Sequence, residues 1–282
     1  MKFKESLMHV IFLISALMSV LAVALICVFL FANGIPAIRQ IGLFDFITGE
    51  TWKPSNDIYG VLPMILASLY VTAGSLIIGV PIGILTAVFL ARFCNKKLYK
   101  IVKPAIDLMA GIPSVVYGFF GLMVIVPLVR NLFGGSGNSM LSACIVLGIM
   151  ILPTIIGVSE SAIRAVSNEI YEGSLALGAT HERSVFKAVL PAASSGITAA
   201  VILGVGRAVG ETMAIIMVAG NQAVMPSSLI RGVRTLTANI VMEMGYATDL
   251  HRGALIATAV VLFVFILIIN VLFSLLKRRS AK

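Results

Sequence analysis

Apolar residues in this chain come in long runs, and the polar residues are gathered between them rather than alternating with them. A run of about 20 mainly apolar residues is what an α-helix needs to cross a bilayer, and lipid offers its backbone no outside hydrogen-bond partner. Six such runs are visible, at Met8–Phe31, Val61–Phe93, Pro104–Leu132, Met140–Ala162, Pro191–Gly220 and Ala254–Leu276. The pattern predicts an all-α polytopic membrane protein with six transmembrane helices. The first run follows the basic start MKFKE and exceeds the ~7–15 apolar residues of a secretory signal, so it is expected to stay as a helix. The second is longer than a bilayer requires, which predicts tilt or an extension into water.

The segments between the runs carry their own signals. Ala32–Gly60 is polar and turn-rich, and its Trp52 and Tyr59 suit either the headgroup level or an ordinary loop. Inside the second run Ser68, Thr72 and Ser75 recur at helical spacing; hydroxyls bonded to their own helix or to a neighbour are expected over a polar pathway lining. In the third run Pro113 removes a helical hydrogen bond while Gly111, Ser114, Gly118 and Gly121 crowd the same turns. Interrupted backbone at membrane depth must be covered by protein or water, so this segment is expected to face the interior, as a place of packing or gating. The fourth run ends in Glu160.

Ile163–Leu190 is polar and reads as two short helices. Ser167 or Asn168 caps the first, Glu169 and Glu172 lie in its opening turn, Gly178 breaks it, and Thr180 caps a second that enters the fifth run at Pro191. Such a segment suits docking, or resting on a lipid surface. Ala223–Gly253, with Arg231, Arg234, Glu243, Asp249 and His251, is polar enough for an external loop.

Composition excludes an ordinary soluble domain: the 282 residues are 59% hydrophobic and 12% charged, against ~25% charged in soluble domains. The formal charge of +9 does not point to nucleic acid, because the basic residues fall between the apolar runs and form no patch interleaved with aromatics. Fourteen of them lie on the N-terminal side, the second and fourth connections and the tail, against six on the other connections, which predicts cytoplasmic termini. Cys27, Cys94 and Cys144 share no metal-ligand spacing.

One stretch breaks the apolar rule from within. GVGRAVGETM, Gly204 to Met213, sets Arg207 and Glu211 inside the fifth run. An ionised side chain at mid-bilayer costs about 2.5–3.5 kcal/mol on insertion scales, so an intramembrane Arg marks a functional site by default. Four residues apart, the two are expected to share a helix face and pair. Gly206 and Gly210 have the small-xxx-small spacing that lets a second backbone approach.

The connection EGSLALGATHERSVFKAVLP, Glu172 to Pro191, resembles the cytoplasmic loop motif of ABC-type importer permeases. Glu172, Gly178, Leu190 and Pro191 match it, while Gly173, Ser174 and Ala188 depart from its consensus. GIPSVVYG from Gly111, GRAVGETMA from Gly206 and WKPSNDIYGVLP from Trp52 are similar to the phosphate permeases of that family, more to the PstC type than to the PstA type. The resemblance implies the type I importer architecture: an N-terminal helix with its external loop over 1–60, a permease core over 61–276 with the coupling loop 163–190, and a basic cytoplasmic tail, 277–282. It implies that Glu172, Gly173, Ser174, Gly178, Leu190 and Pro191 form the coupling segment and that Arg207 and Glu211 line the pathway. Its implied partners are a PstA-like permease, PstB-like nucleotide-binding subunits and an external PstS-like phosphate-binding protein, in a cell inner membrane.

The chain has no G-x-x-x-x-G-K-[ST], so it is expected to bind no cofactor itself, with ATP and Mg on the partner ATPase, and to be no enzyme. Sulfate, molybdate and phosphonate stay open as cargo, since an Arg cannot name its oxyanion. An intramembrane enzyme fits poorly because His9, His181 and His251 are scattered; a passive channel is open on hydropathy alone.

Overall fold

The computed structural model describes residues 2–280, with side chains for residues 7–272. The side chains of the basic tail, and Ala281 and Lys282 altogether, therefore lie outside the described residues. Helix α1 (Lys2–Ile41) turns at Gly42, φ 99°, into the short α2 (Leu43–Thr48). A two-stranded hairpin follows, β1 (Trp52–Lys53) against β2 (Ile58–Tyr59), with Trp52 opposite Tyr59. Ala32–Gly60 is thus not a loop from its start. Asn33 does not stop α1, because its side-chain amide donates back to the Phe29 carbonyl. Gly34 and Ala37 continue the helix because they lie directly against Ala257 and Gly253.

Helix α3 (Leu62–Val88) runs into a π-turn, Phe89–Phe93. Helix α4 (Lys96–Gly111) is capped by Asn95, whose side-chain oxygen accepts from the Leu98 N–H. Helices α5 (Ser114–Phe120) and α6 (Val126–Phe133) are joined through a second π-turn, Gly121–Ile125. Here the expected third span is corrected: only Ser114–Phe133 is apolar and long enough to cross, and Pro104–Gly111 belongs to α4. Pro113 has no N–H for a helix and forces Ile112 into an extended conformation, ψ 127°, so the two helices separate there.

Helix α7 (Met140–Arg164) is capped by Ser139, and α8 (Asn168–Ala176) by Ser167. Gly178, at φ 84°, ends that piece, and Thr180 caps α9 (His181–Ser184), as expected from sequence. A third π-turn, Val185–Val189, leads to α10 (Leu190–Ala192), and the chain bends by 70° before α11 (Ser194–Gly210). Helix α12 (Met213–Val218), α13 (Leu236–Glu243) and α14 (Asp249–Ser280) complete the chain. Two expectations are corrected here: the loop 223–253 contains α13, and the last helix starts at Asp249 rather than Ala254. Among the described residues five helices are long and apolar enough to cross a membrane, six if the bent pair His181–Ala192 and Ser194–Gly210 is one span.

The core is the seam between α3 and α7, and its chemistry follows from the solvent. Lipid removes the hydrophobic drive between helices, so association rests on close van der Waals packing of small residues. A Cβ on Gly79 would come within 2.8 Å of Ile151, one on Gly83 within 2.7 Å of Ile155, and one on Gly74 within 2.5 Å of the Cys144 sulfur. Ser75 donates to the Thr72 carbonyl of its own helix, and Ser68 accepts from the Leu236 N–H of α13, so those hydroxyls serve structure as expected.

Candidate functional site

Arg207 lies in the last turn of α11, where the carbonyl end of the helix favours a cation. It is half-buried, and its guanidinium donates to the Thr154 hydroxyl of α7 at 3.2 Å. Thr154 follows Pro153, which leaves the α7 backbone one N–H short beside it. Tyr117 of α5 is close enough to feel the Arg207 charge, and its own hydroxyl donates to the Met109 carbonyl of α4 across the Pro113 break.

Glu211 does not pair with Arg207, contrary to the sequence expectation. The helix ends at Gly210 and Glu211 is extended, ψ 133°, so the four-residue spacing no longer puts both on one face. The Glu211 carboxylate instead accepts from the Ala214 N–H at 3.0 Å and caps α12, while its carbonyl accepts from the Thr237 hydroxyl. Among the described residues neither Arg207 nor Glu211 enters an ion pair. The fifth run is therefore broken twice, at Ala193 and at Glu211, because each break has its backbone groups satisfied locally.

The glycines split in the same unexpected way. Beyond their own helix turns, nothing among the described residues stands within 4 Å of a Cβ placed on Gly206, Gly210 or Gly111. The close approaches belong to others: Gly118 meets Met217 and the Ala214 backbone of α12, Gly121 meets Val146 and Val218, and Gly204 meets Ile155. Gly111 and Pro113 are exposed and Ser114 half-buried, so within this chain the Pro113 break faces outward and not inward. Gly206 and Gly210, both exposed, flank Arg207 on an uncovered face of α11.

At one end of the molecule the segment expected to couple, Glu172–Pro191, stands out from the bundle with the start of α8 before it. Every residue of α8 has exposed surface, Glu172 and Gly173 are open, Ser174 is half-buried, and Leu177 beyond the helix is 91% exposed. Gly178 is exposed, with a left-handed backbone that other residues rarely adopt. Leu190 is half-buried and Pro191 exposed in α10, after the buried Val185 and Val189 of the π-turn.

Two buried carboxylates that sequence inspection passed over organise the two ends. Glu160, 2% exposed, accepts from the Tyr99 hydroxyl and from Arg164 Nε, each at 2.8 Å, and pairs with Lys103 at 3.2 Å. Burial alone would lower the Lys103 pKa, but its bonds to Asp107 and Glu160 raise it on balance, so the ammonium form is held. Glu243, 6% exposed, accepts from Trp52 Nε1, Arg234 and His251 Nε2, the first and last at 2.8 Å. Trp52 and Tyr59 are therefore core residues rather than headgroup anchors, and Tyr59 stacks on His251 at 6.1 Å. Burial, then the bond to Asp57, pushes the Tyr59 hydroxyl up to about 12. The signal for both carboxylates was a charged residue at a span's edge, but their donors come from distant stretches: Trp52 lies 191 positions from Glu243.

Comparison with known proteins follows the same geometry. The family model described as binding-protein-dependent transport system inner membrane component matches residues 79–282. A probable ABC transporter permease protein, YqgH of Bacillus subtilis, is 39% identical over 92% of this chain and 87% of its own. The phosphate transport system permease protein PstC of Mesorhizobium japonicum is 31% identical over 94% and 87%, and PstC 1 of Mycobacterium tuberculosis 34% over 83% and 81%. Among solved structures, an inward-facing MetNI methionine ABC transporter chain shares the fold, with TM-score 0.63 at 21% identity over 82% of this chain and all of that one. With a family match over well over half its length, the chain belongs to the binding-protein-dependent transport system inner membrane components.

Proposed function

We propose that this chain is the transmembrane permease subunit of an ATP-driven phosphate importer. It forms half of a translocation pathway with a PstA-like permease and takes its energy from PstB-like ATPase subunits, which hold the ATP and Mg. A PstS-like binding protein delivers phosphate from outside. The excess of basic residues on the termini and the second and fourth connections supports a chain that crosses the inner membrane six times with both termini, and α8, on the cytoplasmic side.

The observation that carries the reading is Arg207: a mid-span guanidinium with a single side-chain partner among the described residues, on a helix face that this chain leaves open. An Arg keeps its charge at any relevant pH and offers paired N–H groups that match an oxyanion. Gly206 and Gly210 leave room beside it for a second subunit to close the pathway. Glu211 contributes by holding the break that presents Arg207 and by keeping a negative charge nearby, so that capture of phosphate stays weak enough for release. At the other end, a push on Glu172–Gly178 from the ATPase tilts the helices between inward-open and outward-open states.

The test is radiolabelled phosphate uptake by cells lacking their own phosphate transporters, expressing the chain with its partners, with assembly confirmed. Wild type is expected to import phosphate despite excess sulfate, and Arg207→Gln to lose uptake while still assembling. Normal uptake by Arg207→Gln would make Arg207 structural, and uptake displaced by sulfate would move the cargo to another oxyanion.

A further inference from the structure

We infer that Glu160 is a positioning residue that transmits movement of the α8 segment to α4 and through it to the surroundings of Arg207. The inference rests on the permease reading and adds the route by which a push outside the bilayer reaches the pathway. A buried ion-pair cluster is not the cheapest way to hold two helices together, since well-packed apolar residues replacing the whole cluster would do so at little loss. The value of Glu160 lies in what its donors join. Tyr99 and Lys103 belong to α4, while Arg164 belongs to the last turn of α7, three positions before the Ser167 cap of α8.

The α7 side of this knot is tied twice to the π-turn that follows α3. Arg164 donates to the Leu90 carbonyl at 2.7 Å and Arg92 donates to the Ile163 carbonyl at 3.1 Å, crossing between α7 and the π-turn that ends α3. The widened π-turn frees that carbonyl from the regular helical ladder. The Arg92 guanidinium lies 5.7 Å from the ring centre of Tyr171 on α8, and Tyr171 shares a 2.7 Å hydrogen bond with His181 of α9. From α8 the contacts thus run through Tyr171, Arg92, α7 and Glu160 to Tyr99 and Lys103. Helix α4 then carries them to the Met109 carbonyl, bonded by Tyr117 of α5, and α5 packs through Gly118 on Ala214 of α12, whose N–H the Glu211 carboxylate holds at the break after Arg207.

The knot also has an alternative arrangement at hand. Lys103 divides its ammonium between Glu160 at 3.2 Å and Asp107 at 3.1 Å, and the Asp107 side chain is 60% exposed. Lys103 therefore has a second, hydrated partner when α4 moves away from α7, which gives two discrete states rather than a continuous slide. Arg164 lies over the Tyr99 ring at 4.7 Å, a further α7–α4 contact that such a movement has to release.

The test uses the complete complex in lipid vesicles, comparing amide hydrogen exchange across α4 with and without ATP held unhydrolysed on the ATPase. In wild type, ATP is expected to change exchange in α4; in Glu160→Gln this response is lost and phosphate moved per ATP hydrolysed falls about tenfold. An α4 response that survives in Glu160→Gln, or that is missing from wild type, overturns the inference. Should Glu160→Gln fail to assemble, Tyr99→Phe removes one donor without stranding a charge and is expected to lose part of the response; unchanged coupling there would also refute it. A wild-type complex whose α4 responds but which moves no phosphate would sink the phosphate reading and leave the relay standing.

Discussion

Glu243 and Glu160 are both buried carboxylates with three donors, yet the shells around them differ. The partners of Glu243 are themselves enclosed, with Arg234 16% and His251 14% exposed, and Trp52 and Tyr59 seal them. The partners of Glu160 reach water, Arg164 at 45% and Lys103 at 25% exposed. The first arrangement satisfies itself within one chain and joins the hairpin, α13 and α14 into a fixed lid. The second shares its cations with solvent and sits next to α8, beyond which Leu177 is 91% exposed. A clamp that must stay and a joint that must move use the same chemistry, and hydration of the counter-charges separates them.

The largest expected effect tests this contrast directly. Glu243→Leu strands Arg234, His251 and Trp52 Nε1 and should cost about 3–5 kcal/mol, read as thermal unfolding of the purified chain in detergent. Glu160→Leu should cost only about 1–3 kcal/mol, because Arg164 and Lys103 swing to water. Equal losses would erase the distinction between the two ends.

Next comes Gly178→Val, which forces a β-branched residue into a left-handed backbone at a cost of about 1–2 kcal/mol. Uptake should fall while the Trp52–Glu243 lid, followed by the emission of the single Trp52, stays unchanged. A shifted Trp52 spectrum would show that the two ends are not independent.

Alkaline pH reaches the lid through Tyr59. The Tyr59 hydroxyl is raised from 10.0 to about 12, so its contribution is complete below pH 10 and lost as pH rises through about 12. Trp52, 5.5 Å from Tyr59 between ring centres, should therefore shift its emission in that window in wild type and not in Tyr59→Phe.

The smallest effect is expected at Gly206→Ala. With nothing near its Cβ, the isolated chain should be unchanged or gain up to about 1 kcal/mol of helix propensity, while association with the partner permease weakens. Unchanged association would leave that face to lipid.

Sequence by itself determined that the apolar runs are helical, because a run such as Leu62–Phe93 has only a helix available to it in lipid. It also gave the Ser167 and Thr180 caps and the Gly178 turn, all of which act on neighbours within a few residues. Arg207 announced itself through the cost of its charge. Tertiary structure decided the rest. Whether Arg207 meets Glu211 depended on where α11 ended, and an Ala214 N–H with a Thr237 hydroxyl took Glu211 instead. Which glycines pack, Gly79 and Gly118 rather than Gly206 and Gly210, depended on which helix came alongside. The Glu160 and Glu243 networks join stretches far apart in the chain, and a carboxylate's donors are known only once folding has brought them within hydrogen-bond reach.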